Sequence, residues 1–264
     1  MKPLQALLDL LYPPRCPFCG RVLERGEDRM CALCQQDLPW TDGPGRRLEG
    51  CDLCLSPLHY RDGVRRAVHR YKFKGGAGLS GLYGELTARC LSDCRDGTAG
   101  LVTWVPLHPR DKKRRGYDQA ELLARRTAEL CGIPAEATLE KVRVTGTQSQ
   151  QGTEEDRRAN VEGAYRALPG LDLTGRRVVL VDDVVTTGST LAQCAACLRR
   201  AGAASIVALT FARAGHREAR RSGLRGSLDR SEGERRAAQR PADQPESQGK
   251  RPSVRPASQR DNND

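Results

Sequence analysis

Aromatic residues make up only 4% of this 264-residue chain, which has three Phe, two Trp and six Tyr. Rings on which nucleobases could stack are therefore sparse, with Trp40, Tyr60, Tyr71, Phe73 and Tyr117 as the candidates. Long apolar runs are lacking too. No stretch approaches the roughly 20 residues of a membrane-crossing helix, so no span is expected. The opening MKPLQALLDLLYPP has one Lys and a short apolar stretch, but no small-residue cleavage site follows it. Its leucines at 4, 7, 8 and 11 sit at helical spacing and Pro13–Pro14 end the pattern, which reads as a short docking helix rather than a signal peptide. With no export signal, a cytoplasmic location is expected. The eleven cysteines are then reduced thiols, open to metal rather than paired as disulfides.

Acidic residues are in the minority. Lys and Arg number 44 against 33 Asp and Glu, a net charge of +11 that favours nucleic acid or phosphorylated small molecules as partners. The hydrophobic fraction of 38% suffices for one ordinary core, not two.

Three regions separate by composition. Residues 1–60 hold six of the eleven cysteines as three Cys-x-x-Cys pairs, with Pro and Gly between them. Residues 61–213 alternate short apolar runs with helical patterns. The runs LVTWVP (101–106), RVVLVD (177–182) and SIVALTF (205–211) predict buried strands, and helices are expected near 62–74, 80–93, 117–131 and 190–201. Such alternation implies an α/β fold, Rossmann-like, with a largely parallel sheet covered on both faces. Residues 214–264 contain no aromatic residue and carry 12 Lys and Arg against 8 Asp and Glu. They cannot bury enough apolar surface to offset ordering entropy, and a disordered basic tail is expected.

The segment VVLVDDVVTTGST, 178–190, carries the chemistry. Val178 to Val181 bring a strand to its carboxyl end, where ligands of open α/β sheets bind. Asp182 and Asp183 follow, suited to ribose hydroxyls or a divalent cation. Thr186, Thr187, Ser189 and Thr190 add hydroxyl donors around Gly188, which allows close backbone approach. The loop then opens a helix, whose N-terminal amides and dipole attract an anion. Upstream, Arg110, Lys112, Lys113, Arg114 and Arg115 precede Gly116 beyond the 101–106 strand. These read either as a solvated basic turn or as contacts for pyrophosphate or DNA.

The cysteines read as a metal site. Cys16-x2-Cys19-x11-Cys31-x2-Cys34 is zinc-ribbon spacing, in which two knuckles supply four thiolates to a closed, structural ion. The set Cys31, Cys34, Cys51 and Cys54 is also acceptable by spacing, but it strands Cys16 and Cys19. The first set is favoured, with Cys51 and Cys54 left vestigial or oxidisable. Cys194 and Cys197 read as small apolar packing residues.

VVLVDDVVTTGST resembles the phosphoribosyltransferase signature at every position. VPLHPRDKKRRGYDQA resembles the VPLHPxxxxxRGxxQA segment of the ComF family, proteins of bacterial competence and DNA uptake. Gln148, Ser149, Arg157, Asn160, Gly163, Ala164 and Tyr165 match a further segment of that family, and the order extends over roughly residues 10–213. Tyr117-Asp118 stands where the family form is Phe-Asn, placing an extra negative charge near the anion site. The resemblance implies a type I phosphoribosyltransferase-like domain with an N-terminal zinc-ribbon module. It also implies ribose contacts by Asp182 and Asp183, directly or through Mg²⁺, and a 5-phosphate held by residues 186–190. The family often carries a double zinc ribbon. Residues 1–60 lack a fourth pair for a second site, for which His59 and His69 are the substitutes at hand.

Two main functions, and a third variant, are compatible with these implications. One is an accessory of DNA uptake that engages single-stranded DNA and uptake-machinery proteins and keeps a phosphoribosyl diphosphate-type ligand site. The other is an active phosphoribosyltransferase (a glycosyltransferase), with Arg114 and Arg115 at the pyrophosphate. A third makes the ligand site a regulator of DNA or protein binding.

Overall fold

In a computed structural model of the chain, the described residues are 13–42, 45–73, 76–94, 99–143 and 163–215. The predicted N-terminal helix, the Gln148–Asn160 part of the family segment and nearly all of the tail lie outside them.

The main sheet is built on the two apolar runs with the most β-branched and aliphatic residues. β1 (Arg46–Leu48), β2 (Cys51–Leu55), β3 (Leu58–His59), β4 (Leu101–Trp104), β7 (Arg177–Val185) and β8 (Ser205–Arg213) make a six-stranded sheet of order β1-β2-β8-β7-β4, with β3 also on β8. β2, β8, β7 and β4 run parallel, and β1 is the antiparallel edge. Val178 to Val181 are all buried, as a central parallel strand covered on both faces requires. A separate antiparallel pair joins β5 (Leu139–Lys141) to β6 (Tyr165–Ala167).

Strand alternation divides the core in two. Val179, Val181, Val102, Leu209 and Phe211 face one side, packed by α2 (Asp62–Phe73), α3 (Ser80–Cys94) and α5 (Gln119–Cys131). Val178, Leu180, Leu101 and Ala208 face the other, packed by α6 (Ser189–Arg200) through Leu191, Cys194, Ala195 and Leu198. The few aromatic residues are concentrated in the first core, where Tyr83 stacks on Phe211 with ring centres 4.1 Å apart and meets Tyr71 edge-on at 5.2 Å.

The structure departs from the sequence reading in three places. Residues 46–59, grouped by their cysteines with the metal module, run as strands of the main sheet, because β2 hydrogen-bonds in register along β8 from Leu53↔Val207 to Leu55↔Leu209. The basic cluster is a helix, α4 (Pro109–Arg115), not a loop: His108 caps it, Pro109 starts it and Gly116 at φ 82° ends it. β7 continues past the predicted end at 182 to Val185, so both acids lie within the strand. Preceding the sheet is the short α1 (Ala32–Asp37), which Cys31 caps and which contains Cys34.

Candidate functional site

Because Asp182 and Asp183 are consecutive in a strand, they point to opposite faces. Asp183 enters the first core and is 3% exposed. Both its oxygens are engaged: Lys72 Nζ of α2 lies 2.8 Å from Oδ1, and Gln119 Nε2 of α5 donates to Oδ2 at 2.9 Å. Burial pulls the Lys72 ammonium down, but the Asp183 and Asp182 carboxylates outweigh it and its pKa is raised. Asp182 is only partly covered, and its Oδ1 accepts the Asp183 N–H at 2.7 Å. Burial first, and then the charge of Asp183, push its carboxyl up to about 8.

The 186–190 loop closes the carboxyl end of β7. Thr186 is exposed, Gly188 is buried, and Thr187, Ser189 and Thr190 are half-buried. The Thr187 and Ser189 hydroxyls lie 3.0 Å apart, and the Ser189 N–H points at Thr187 Oγ1 at 3.4 Å. Gly188 caps α6 at φ 88° and, having no side chain, supplies no acceptor of its own to the first-turn amides. Those amides and small hydroxyls at the positive end of a 12-residue helix can hold a phosphate. The β1 edge lies alongside: Leu48 packs on Gly188, and Arg46 Nη2 donates to Thr186 O at 3.4 Å.

The basic helix α4 follows β4, the strand next to β7. Arg110, Lys112, Lys113 and Arg114 are exposed, as is Gly116. Lys112 pairs with Glu121 and Arg114 with Asp111, both at 2.8 Å. Arg115 turns inward. Its guanidinium lies 4.9 Å from the centre of the Phe73 ring and donates to Gln119 Oε1 at 2.9 Å. Arg115, Gln119, Asp183 and Lys72 thus form one chain of contacts, joining the basic helix to the acid pair. Asp118 is 4% exposed and caps α5, Oδ1 accepting from Ala120 and Glu121 N–H and Oδ2 from Leu107 N–H, and its charge still reaches the site, where it helps to raise the carboxyl of Asp182.

Lys72, Gln119, Leu48 and Arg46 were missed by sequence reasoning. Gln119 was legible only as the Gln of the VPLHPRDKKRRGYDQA segment, with no role attached, and Lys72 only by its place in the last turn of α2.

A divalent cation fits the acid pair poorly. Mg²⁺ asks for near-octahedral oxygens at about 2.0–2.1 Å. Both Asp183 oxygens are engaged and one already carries an ammonium, and of the pair's four oxygens only Asp182 Oδ2 accepts no hydrogen bond from the described residues.

The four cysteines of the ribbon spacing do come together. Cys16, Cys19, Cys31 and Cys34 place their sulfurs within 4.8 Å of one another, with Cys19 and Cys31 at 3.7 Å. Tetrahedral Zn–S bonds of about 2.3 Å separate sulfurs by about 3.8 Å, so four thiolates fit structural zinc. Burial alone would raise the Cys16 thiol, but backbone N–H groups of Cys19, Cys31 and Phe18 bring it down to about 7. α2 holds this knuckle: Arg70 Nη1 donates to Cys16 O at 3.2 Å and Pro17 O at 3.0 Å, and Arg66 Nε to Phe18 O at 3.3 Å. Cys51 and Cys54 do not belong to it. They lie in β2 against α6, where burial pushes Cys51 up to about 12 and also raises Cys54. The set 31/34/51/54 is therefore excluded, and neither His59 nor His69 joins a metal-binding group among the described residues. Cys194 and Cys197 are buried packing residues, as expected.

Beside the knuckle, Tyr60, Asp62, Arg65, Arg66, His69 and Arg70 line an open groove of about 530 Å³. Among the described residues no helix is long and apolar enough to cross a membrane.

Comparison with known proteins finds both kinds of module, the ribbon match running through β1–β3 as well as the knuckle. A phosphoribosyl transferase domain model matches residues 113–232, and a double zinc ribbon domain model matches residues 7–66. The chain is 30% identical over 223 residues to Competence protein F of Haemophilus influenzae, covering 76% of this chain and 97% of that one. It is 33% identical over 198 residues to the DNA utilization protein YhgH of Salmonella typhi, covering 72% of this chain and 80% of that protein. Identity to Competence protein ComFC of Bacillus subtilis is 26% over 202 residues, covering 75% of this chain and 77% of that one. With a phosphoribosyltransferase-type domain behind a four-cysteine ribbon, and relatives matched over most of their length, the chain belongs to the ComF competence family.

Proposed function

We propose that this protein is a DNA-uptake accessory that binds single-stranded DNA and holds a phosphoribosyl ligand at residues 182–190. The observation that carries the ligand reading is Gly188 at φ 88°, opening α6 without a side-chain cap of its own, its first turn ringed by Thr187, Ser189 and Thr190. Asp182, the partly exposed acid, stands next to that loop and is suited to a ribose hydroxyl.

The DNA reading draws on charge. Arg110, Lys112, Lys113 and Arg114 lie exposed on α4, and Arg65 and His69 line the groove beside the knuckle with Tyr60. Arg65 lies 5.9 Å from the centre of the Tyr60 ring, a pairing that suits an unstacked base against a phosphate backbone. The names of the relatives, competence and DNA utilization proteins, point the same way.

Calorimetry with ribose 5-phosphate tests the first half: heat that disappears in a Gly188→Val variant supports it, and no heat with the wild type refutes it. Fluorescence anisotropy of a labelled oligothymidine at about 50 and about 200 mM salt tests the second half. Binding that weakens with salt, and weakens further in Arg65→Glu/Lys113→Glu, is expected. An absence of binding at both salt concentrations refutes it.

One observation favours a second reading, an active phosphoribosyltransferase. α4 places its arginines after β4, beside β7, and Arg115 is linked to the acid pair through Gln119. Positive charge there would stabilise a departing pyrophosphate. Pyrophosphate release from phosphoribosyl diphosphate that depends on an added amine or nucleobase would establish this reading.

A further inference from the structure

The acid pair of this fold already carries a cation, and it belongs to the chain. Lys72 reaches from the last turn of α2 across to β7, where Nζ sits 2.8 Å from Asp183 Oδ1. The two side chains differ in cover: Asp183 is 5% exposed and Lys72 27%. The carboxylate is sealed in, while the ammonium keeps an opening. Gln119 closes the other side of Asp183 from Oδ2, and the Asp183 N–H takes Asp182 Oδ1. A metal entering here would meet a buried carboxylate with no free oxygen and a positive charge already in contact with it.

We propose that Lys72 is a built-in substitute for a divalent cation, taking the place beside Asp182 and Asp183 that such an ion would need and contacting the phosphoribosyl ligand in its stead. An ammonium has three N–H donors. Asp183 uses one, and the partial exposure of Lys72 leaves others for a ribose hydroxyl or phosphate oxygen. Gln119 and Arg115 are positioning residues in this scheme: the Gln119 amide fixes Asp183, and Arg115 fixes Gln119 through Oε1 at 2.9 Å. The simpler alternative is that Lys72 only neutralises a buried acid. The two differ in what happens to metal and ligand when the ammonium is removed.

The ligand half of this inference rests on the phosphoribosyl reading, whereas its metal half does not. The zinc-loaded protein is passed over chelating resin, its zinc content checked, and Mn²⁺ titrated in without ligand while the electron paramagnetic resonance signal of free Mn²⁺ is followed. The wild type is expected to leave that signal undiminished, and Lys72→Met to bind Mn²⁺ in a way that an added Asp182→Asn change abolishes. Mn²⁺ that binds the wild type and is lost in Asp182→Asn overturns the proposal, as does a Lys72→Met protein that takes up none.

Ribose 5-phosphate is then titrated by calorimetry, with and without Mg²⁺. Wild-type affinity should change by less than about threefold between the two. Lys72→Met should lose about tenfold or more without Mg²⁺, the scale of a charged hydrogen bond, and regain much of it with Mg²⁺. Wild-type binding that requires Mg²⁺ overturns the proposal and leaves the phosphoribosyl reading standing. No binding under either condition removes that reading and the ligand half together, and the Mn²⁺ result alone then decides the metal half. Lys72→Gln, which keeps the length and polarity of the side chain better than Met, serves for both titrations if Lys72→Met does not fold. The wild-type measurements need no variant.

Discussion

Leu48, at the end of the edge strand β1, packs so tightly on Gly188 that a Cβ at that glycine would lie 2.2 Å from Leu48 Cδ1 and 3.2 Å from its Cγ. Gly188 also sits at φ 88°. An alanine there is strained by its backbone even if the leucine swings away. Gly188→Ala is expected to lower stability by about 1–3 kcal/mol in urea denaturation. The double variant with Leu48→Ala should recover the steric part of the loss relative to Leu48→Ala alone, but not the backbone part. Full recovery would mean that the φ of Gly188 carries no cost. Because β1 meets the phosphate loop through this pair and through the Arg46–Thr186 bond, Leu48→Ala should also weaken ribose 5-phosphate binding.

Asp118 uses both oxygens as acceptors, a role that an Asn in its place could fill only in part. Oδ1 takes the Ala120 and Glu121 N–H groups at 3.0 and 3.2 Å, and Oδ2 takes Leu107 N–H at 2.8 Å. An asparagine can satisfy one side only, since its amide NH₂ would face the N–H of Leu107 or of Ala120. Asp118→Asn should cost about 1–2 kcal/mol, and Asp118→Ala more, having lost the helix cap as well. Equal stability of wild type and Asp118→Asn would show that Leu107 N–H finds another acceptor.

These two sites show what the sequence could and could not convey. β7 and β8 announce themselves as runs of Val, Ile and Leu, and the small-residue loop after β7 is legible because the chemistry of a phosphate cradle needs those residue types in consecutive positions. α2, α3, α5 and α6 show in the spacing of their buried residues, as in Val64, Ala67, Val68 and Tyr71. α4 does not, because it buries none of its residues and is held by His108, Pro109 and Gly116 at its ends. β2 hid behind its cysteines: a Cys-x-x-Cys pair after two others suggests metal, and only pairing with β8 reveals Cys51 and Cys54 as core residues. The contact of Lys72 with Asp183 had no local signature at all. It exists because α2 and β7 are brought together by packing, and a long side chain can satisfy a buried carboxylate from any neighbouring element.

Zinc content follows from that correction. The ribbon cysteines gather into one four-sulfur group among the described residues, and Cys51 and Cys54 have thiols raised by burial that do not readily become thiolates. Purified protein should contain one zinc per chain by elemental analysis. Cys51→Ala/Cys54→Ala should retain it, whereas Cys31→Ser should lose it and destabilise the knuckle and its contacts with Arg66 and Arg70. Two zinc ions in the wild type, one of them lost with Cys51 and Cys54, would contradict the single-site arrangement.

The raised carboxyl of Asp182 sets a pH dependence of definite sign. In the unfolded chain an Asp titrates near 3.9. In the fold, burial and the neighbouring Asp183 move Asp182 up to about 8, with Lys72 pulling it partly back. The folded state therefore binds this proton more tightly. The resulting contribution to stability is fully present below about pH 4 and is lost as pH rises through about 8. Asp182→Asn, which keeps the shape and cannot ionise, should lack that loss. Stability measured by urea denaturation at about pH 5, 7 and 9, with zinc kept saturating, should show wild type minus Asp182→Asn falling steadily with pH. A difference that stays flat or rises would mean that Asp182 is already ionised at neutral pH, balanced by more positive charge than Lys72 supplies. The same titration bears on recognition. A protonated Asp182 can donate to a ribose hydroxyl oxygen as well as accept from one, so ribose 5-phosphate affinity should respond to pH in the wild type and less so in Asp182→Asn.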